Sequence, residues 1–124
     1  RQPYVPHPRI RYFTLSQVTI AKEVRSILLS DLSQNHTARE LAERYQIGET
    51  SLKNYFRGVF GENLSVWLRE ARMRRAAELL RDTDLRVAEI AEQVGYENQS
   101  KFAAVFVKEY GCPPLEYRRM SRLK

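Results

Sequence analysis

Between residues 87 and 106 the chain reads VAEIAEQVGYENQSKFAAVF. Val87, Ile90, Ala91 and Val94 recur at helical spacing, and Gly95 then stops the pattern. Five polar side chains follow, Glu97, Asn98, Gln99, Ser100 and Lys101, before the apolar period resumes at Phe102, Val105 and Phe106. A helix that restarts on polar residues is built to meet something other than the core at that end. Catalytic chemistry finds little support. His7 and His36 are the only histidines, both in segments expected to be non-helical. No metal-ligand spacing, nucleophile with a base, or glycine-rich phosphate loop occurs, so no enzyme activity, metal or cofactor is expected. Cys112 is the one cysteine, beside Pro113 and with no histidine close in sequence. It cannot form a disulfide within the chain and reads as structural, in keeping with a reducing cytoplasm.

The elements that position the polar run are all helical by pattern. Residues 1–15, RQPYVPHPRIRYFTL, hold three prolines and three arginines with no acid, which keeps a segment extended. They read as a linker or arm from an upstream domain, in a chain that opens with Arg1 rather than Met. From Ser16, a plausible cap, Val18, Ala21, Val24, Ile27, Leu28 and Leu32 mark one helix face. Thr37 with Glu40 has the form of a capping box, followed by Leu41, Ala42 and Tyr45. A short link, 46–48, leads to a helix with Leu52, Tyr55, Phe56, Val59 and Phe60 on its apolar side, ended by Gly61. Asn63 can cap a longer helix over 63–82, with Leu64, Trp67, Leu68, Ala71, Ala76, Leu79 and Leu80 facing inward. Helices over about 86–94 and 99–110 follow, and Pro114 suits the first position of a last helix over 114–120. The class is all-α, with seven helices.

The pattern occurs twice. In residues 40–61 and 89–111, Leu41 matches Ile90, Ala42 matches Ala91, and Ile47 matches Tyr96. With one extra residue in the second copy, Leu52 matches Phe102, Phe56 matches Phe106, Phe60 matches Tyr110, and Gly61 matches Gly111. Both copies read helix, tight turn, helix. The small residue lets the helices approach, and Ile47 or Tyr96 plugs the corner. A plain αα-hairpin would account for one copy. Two copies at the same offsets in a basic chain favour paired helix-turn-helix units, in which the second helix meets the major groove with its N-terminal residues. The helix between them, at 1.5 Å per residue, is about 28 Å long. Adjacent grooves on one face of DNA lie about 34 Å apart, so it suits two reading helices in successive grooves.

Composition agrees with this. Formal net charge is +6, and 16 of the 21 basic residues are arginine, the side chain suited to phosphate and base edges. No apolar run approaches the roughly 20 residues that span a bilayer, and no membrane partner is expected.

At this point the sequence resembles the DNA-binding domain of the AraC/XylS family of bacterial transcription regulators. The stretch IAEQVGYENQSKFAAVFVKEYGCPPLEYRR carries the most specific part, with Arg72, Met73, Ala77 and Leu80 in the connecting helix. The resemblance covers about 16–120, within a domain expected over 16–124, its helix-turn-helix units at about 37–61 and 86–111. Val107 departs from a position that is often basic in the family, and Pro113 from one that is often Ser or Thr.

The resemblance implies a homeodomain-like fold of seven helices, two helix-turn-helix units joined by a long helix, and sequence-specific promoter binding. It also implies activation through RNA polymerase and a sensing or dimerisation domain upstream that would receive any small-molecule effector. It places the protein in the cytoplasm, on the nucleoid. Reading positions carried over from the family are Glu49, Thr50, Lys53 and Asn54 in the first unit, and Gln99, Ser100, Lys101 and Ala104 in the second. Lys53 suits guanine acceptors, and Asn54 and Gln99 can pair bidentately with adenine, whereas Ala104 offers only a methyl group. The first unit is therefore expected to specify more strongly. Phosphate contacts are expected from Thr37, Arg57, Asn98 and Lys108, with Arg72, Arg74, Arg75 and Arg86 as further candidates. The alternative for those four arginines is a solvated face supported by Glu70 and Glu78. The alternative for the whole chain is a helical interaction module with only sequence-blind affinity for DNA.

Overall fold

The computed structural model describes residues 13–123. The arm expected over 1–15 therefore falls, up to residue 12, outside the described residues, and so does His7. Among the described residues there are seven helices and no strand: α1 (Leu15–Ser30), α2 (Ala38–Arg44), α3 (Glu49–Phe60), α4 (Leu64–Asp82), α5 (Val87–Gln93), α6 (Gln99–Tyr110) and α7 (Pro114–Ser121). None of these helices is long and apolar enough to cross a membrane.

The chain divides into two compact units. One holds the residues up to Ile27 with His36–Leu64, and the other Leu28–Asn35 with Ser65–Lys124. In the first unit Ala21, Val24, Leu41, Ala42, Leu52 and Phe56 are buried, as their helical spacing required. α1 starts two residues earlier than a cap at Ser16 would place it. Its cap is Thr14 rather than Ser16: Thr14 Oγ1 accepts from the Gln17 amide at 3.2 Å, and the Thr14 amide donates to Gln17 Oε1 at 2.9 Å. That reciprocal pair satisfies two donors at the helix start, which Ser16 could not do from within the first turn. α2 has the expected capping box, with the Glu40 amide donating to Thr37 Oγ1 at 3.0 Å and the Thr37 amide to Glu40 Oε2 at 3.2 Å.

The second unit has one continuous core of Met73, Ala76, Ala77, Leu79, Leu80, Ile90, Ala91, Val94, Phe102 and Phe106, with Leu85, Val87, Tyr96, Val105 and Tyr117 at its edge. α7 closes this core with Tyr117, whose ring meets Phe106 edge-on at 5.4 Å. It also clamps the end of α4. Arg118 donates to the carbonyls of Leu80, Thr83 and Leu85 at 2.9, 3.0 and 2.7 Å. Arg122 adds the carbonyl of Arg81 at 3.2 Å and the carboxylate of Asp84 at 3.0 Å. A helix ends with carbonyls that have no partner in the helix, and here guanidinium groups supply the donors.

One expected surface arginine is internal. Arg72 is only 9% exposed. Its Nη2 donates to the Gln34 carbonyl at 3.1 Å and to Asn35 Oδ1 at 2.9 Å, while its Nε is buried with no partner. Burial lowers its pKa from the ordinary arginine value. The group ties the 31–35 segment to α4 and cannot reach a phosphate from there, so Arg72 leaves the set of candidate phosphate contacts. Periodicity missed this because Arg72 lies beside the apolar face of α4 and its long stem reaches inward.

Candidate nucleic-acid interface

The repeat seen in the sequence is a repeat of geometry. In the first unit the Ile47 amide donates to the Ala42 carbonyl at 3.2 Å, and in the second the Tyr96 amide donates to the Ala91 carbonyl at 2.8 Å. Each bond closes the turn that breaks the first helix and sends the chain into the second. The turn needs one residue with positive φ. Gly95 supplies it at +90°, and Gln46, one residue before Ile47, adopts +55°. The extra residue of the second copy is Glu97, since the helices resume after Gly48 and Asn98, whose carbonyls accept from Leu52 and Phe102. Both second helices end alike. Gly61 and Gly111 have φ of 78° and 80°, and their amides donate to Arg57 and Val107 at 2.8 and 2.7 Å. The rings of Phe56 and Phe60 lie 4.7 Å apart, as do those of Phe106 and Tyr110.

These turns fix which side of each second helix is buried. On α3, Leu52 and Phe56 are fully buried while Glu49, Thr50, Lys53, Asn54 and Arg57 are exposed. On α6, Phe102 and Phe106 are fully buried while Gln99, Ser100, Lys101, Ala104 and Lys108 are exposed. Every reading position expected from the sequence is thus on the outer face of its helix, toward the N-terminal end, and the two sets are alike.

The two faces differ in charge. α3 carries Glu49 in its first turn, paired with Lys53 at 3.1 Å. α6 has no acid in its first turn, and Asn98 caps it by accepting from the Lys101 amide at 3.0 Å. That leaves the Asn98 amide nitrogen to donate outward at a helix N-terminus, where an anion is favoured. Thr37 likewise caps α2 with its oxygen while its hydroxyl proton remains a donor.

The remaining candidate arginines are exposed, and two of them have an acidic partner near at hand. Arg75 meets Glu78 at 3.3 Å. Arg86 meets Glu89 at 3.2 Å, and its backbone amide donates to the same carboxylate. Those two donors hold the Glu89 carboxyl below its ordinary range. Arg74 is exposed on α4. Exposed pairs of this kind are weak and exchange readily for a phosphate.

The sequence reading gave no role to Arg118 or Arg122. The only signal was their place behind Tyr117, which says nothing of the carbonyls they would meet.

A polar face with basic side chains, carried by the second helix of a tight-turned helix pair and repeated in each unit, defines a helix-turn-helix DNA-binding protein. The family model described as a helix-turn-helix domain matches residues 41–120. The HTH-type transcriptional activator RhaR of Enterobacter sp. (strain 638) is 30% identical over 119 residues, covering 92% of this chain and 42% of that protein. RhaR of Yersinia pseudotuberculosis (strain IP 31758) is 34% identical over 96 residues, 77% of this chain and 33% of the relative. This chain therefore spans well under half the length of these curated relatives.

Among solved structures, the C-terminal domain of AraT, a response regulator from Geobacillus stearothermophilus, superposes with a TM-score of 0.79 at 33% identity, covering 85% of this chain and 88% of that one. The DNA-binding domain of AdpA, a global transcriptional factor solved in complex with a target DNA, gives 0.77 at 26% identity over 82% of this chain and 92% of that one. The chain belongs to the AraC/XylS family of helix-turn-helix transcription regulators, a family of DNA-binding domains and not of enzymes.

Proposed function

We propose that this domain reads promoter DNA with two helices, α3 and α6, lying in successive major grooves. The observation that carries the reading is the match between the two units: each exposes the N-terminal half of its second helix while burying the same two positions behind it. Base contacts come from Glu49, Thr50, Lys53 and Asn54 on α3 and from Gln99, Ser100, Lys101 and Ala104 on α6. Phosphate contacts come from Thr37, Arg57, Asn98 and Lys108, with Arg74, Arg75 and Arg86 at the margin. The charge difference supports a division of labour. The Glu49–Lys53 pair gives α3 an acceptor and a donor at base-edge height, so α3 carries most of the sequence preference. The acid-free first turn of α6 suits a backbone phosphate.

The RhaR relatives are named as activators. By that likeness this chain serves an activator that works through RNA polymerase, in the cytoplasm and on the nucleoid, with any small-molecule effector bound by another part of the protein.

The test is selection from a randomised duplex pool at near-physiological salt, followed by sequencing of the bound fraction. Two conserved blocks about one helical turn apart, the stronger one abolished by Lys53→Ala and the weaker by Gln99→Ala, are the expected outcome. A stronger block that answers to Gln99 would reverse the division. No enrichment, with affinity collapsing as salt rises, would leave only charge-driven binding and put the interaction-module reading ahead.

A further inference from the structure

The reading helix α3 carries a glycine in its last turn. Gly58 weakens the helix relative to alanine. The usual reasons for a glycine do not apply: its φ is not positive, and Gly61, not Gly58, ends the helix. What occupies its surface is Phe13. A methyl group at Gly58 would overlap the end of the Phe13 ring and come within 3.2 Å of Cδ2.

The ring is held on a second side as well. It meets Tyr55 edge-on, with centroids 5.9 Å apart at 72°. The Tyr55 hydroxyl in turn accepts from Gln17 Nε2 at 3.3 Å, and Gln17 closes the cap of α1 with Thr14. All of these residues belong to the first unit. Gly58 lies four residues after Asn54, on the same strip of the helix. The chain entering α1 is thus fastened to the flank of α3, one turn from its reading face.

We propose that Phe13, seated in the notch left by Gly58, is a positioning contact for base reading by α3. The core behind Leu52 and Phe56 fixes how deeply the helix sits. The seat fixes its rotation and tilt from the outer flank, and a site that reads base edges tolerates only a fraction of an ångström of play. The seat needs the space that a glycine leaves. This inference rests on the proposed role of α3 as a base-reading helix.

The test uses this chain with the duplex it selects from a random pool, and the same duplex with either block scrambled. The variants are Phe13→Ala, Phe13→Leu, Gly58→Ala and the double variant Phe13→Ala/Gly58→Ala. Gly58→Ala unseats one partly exposed ring and adds a better helix former, so its melting temperature should change little. Each alanine variant should nevertheless weaken binding about fivefold, the strength of roughly one aromatic pair. The loss should vanish when the block read by α3 is scrambled. Phe13→Leu should keep most of the affinity. The double variant should bind no worse than either single one, because both remove the same contact.

Single variants within twofold of the parent would overturn the proposal. So would a double variant whose loss is the product of the two, since Gly58 would then face DNA without help from the ring. Failure of the parent chain to enrich any duplex would sink the base-reading proposal and this one with it, whereas enrichment with unchanged variants would sink only this one.

Discussion

Gly95→Ala tests the geometry of the second turn, and its cost can be worked out from two sources. The first is the backbone. At φ +90° an L side chain is strained by about 1–2 kcal/mol, part of which is offset because alanine loses less freedom on folding than glycine. The second is contact. An added Cβ would lie 2.7 Å from the Leu32 carbonyl oxygen and 2.7 Å from Arg72 Cζ. The carbonyl is backbone. The guanidinium cannot swing aside without losing its bonds to Gln34 and Asn35. Overpacking against such neighbours costs about 1–3 kcal/mol.

Together these give a loss of about 2–4 kcal/mol, a large share of the 5–15 kcal/mol typical of a domain. Gln46 provides the internal control. It is exposed and strained only in its backbone, at φ +55°, so Gln46→Gly should be neutral or stabilising by up to about 1 kcal/mol. Urea denaturation followed by circular dichroism gives the totals, and amide exchange at Ile90 and Phe102 against Leu41 and Leu52 assigns them to a unit. A Gly95→Ala loss below about 1 kcal/mol, or a Gln46→Gly loss above it, would show that the two turns do not carry strain as described.

Two further outcomes are expected. Arg118→Met should destabilise the second unit by about 2 kcal/mol, because the Leu85 carbonyl loses its charged donor and the carbonyls of Leu80 and Thr83 keep only Arg122. Arg118→Lys, which cannot reach all three at once, should recover only part of that in the same denaturation assay, and a full recovery would show that charge alone matters. Acid should also weaken the fold. Glu89, Asp82 and Glu116 are held below the ordinary carboxylate range by donors from Arg86, Arg81 and Arg119 respectively. Their folded pKa values lie below the unfolded ones, so their contribution is present above the ordinary carboxylate range and is lost as pH falls through the depressed values. Melting temperature followed from neutral pH downward should drop through that window, and Glu89→Gln should lower the neutral plateau while flattening the acid slope. An unchanged slope would mean that Glu89 does not contribute.

Most of the fold was legible because its signals are short-ranged. Helical spacing marked α6 at the residues the structure gives and α4 to within one, and the capping box at Thr37 marked the start of α2. The start of α1 was misread because Thr14 and Ser16 are both good caps by type, and only the reach of Gln17 decides between them. The burial of Arg72 was not legible at all. It depends on two residues, 38 and 37 positions upstream, turning two oxygens toward one guanidinium, and no local pattern encodes that.

The same distinction separates the two kinds of residue at the interface. The expected reading positions came from the family resemblance, and the repeat agrees with them: once Leu52 and Phe56 face inward, Thr50, Lys53, Asn54 and Arg57 have only the outer face left. What steadies them could not be named, because steadying is done by residues outside the repeat. Arg118 secures the end of α4, and Arg72 ties that helix to residues 34 and 35. Phe13 secures α3 from a position that sequence alone assigns to a linker. A duplicated motif therefore exposes its contact surface to inspection and conceals its supports. Two units whose turns close with the same hydrogen bond can still differ in how firmly they present their helices, and that difference is carried by the singular residues, not the repeated ones. The first unit has its flank seat at Gly58. At the equivalent place on α6, Lys108 carries a full side chain and leaves no notch. The unequal reading proposed for the two units would then have a structural origin beyond the chemistry of the side chains assigned to the bases.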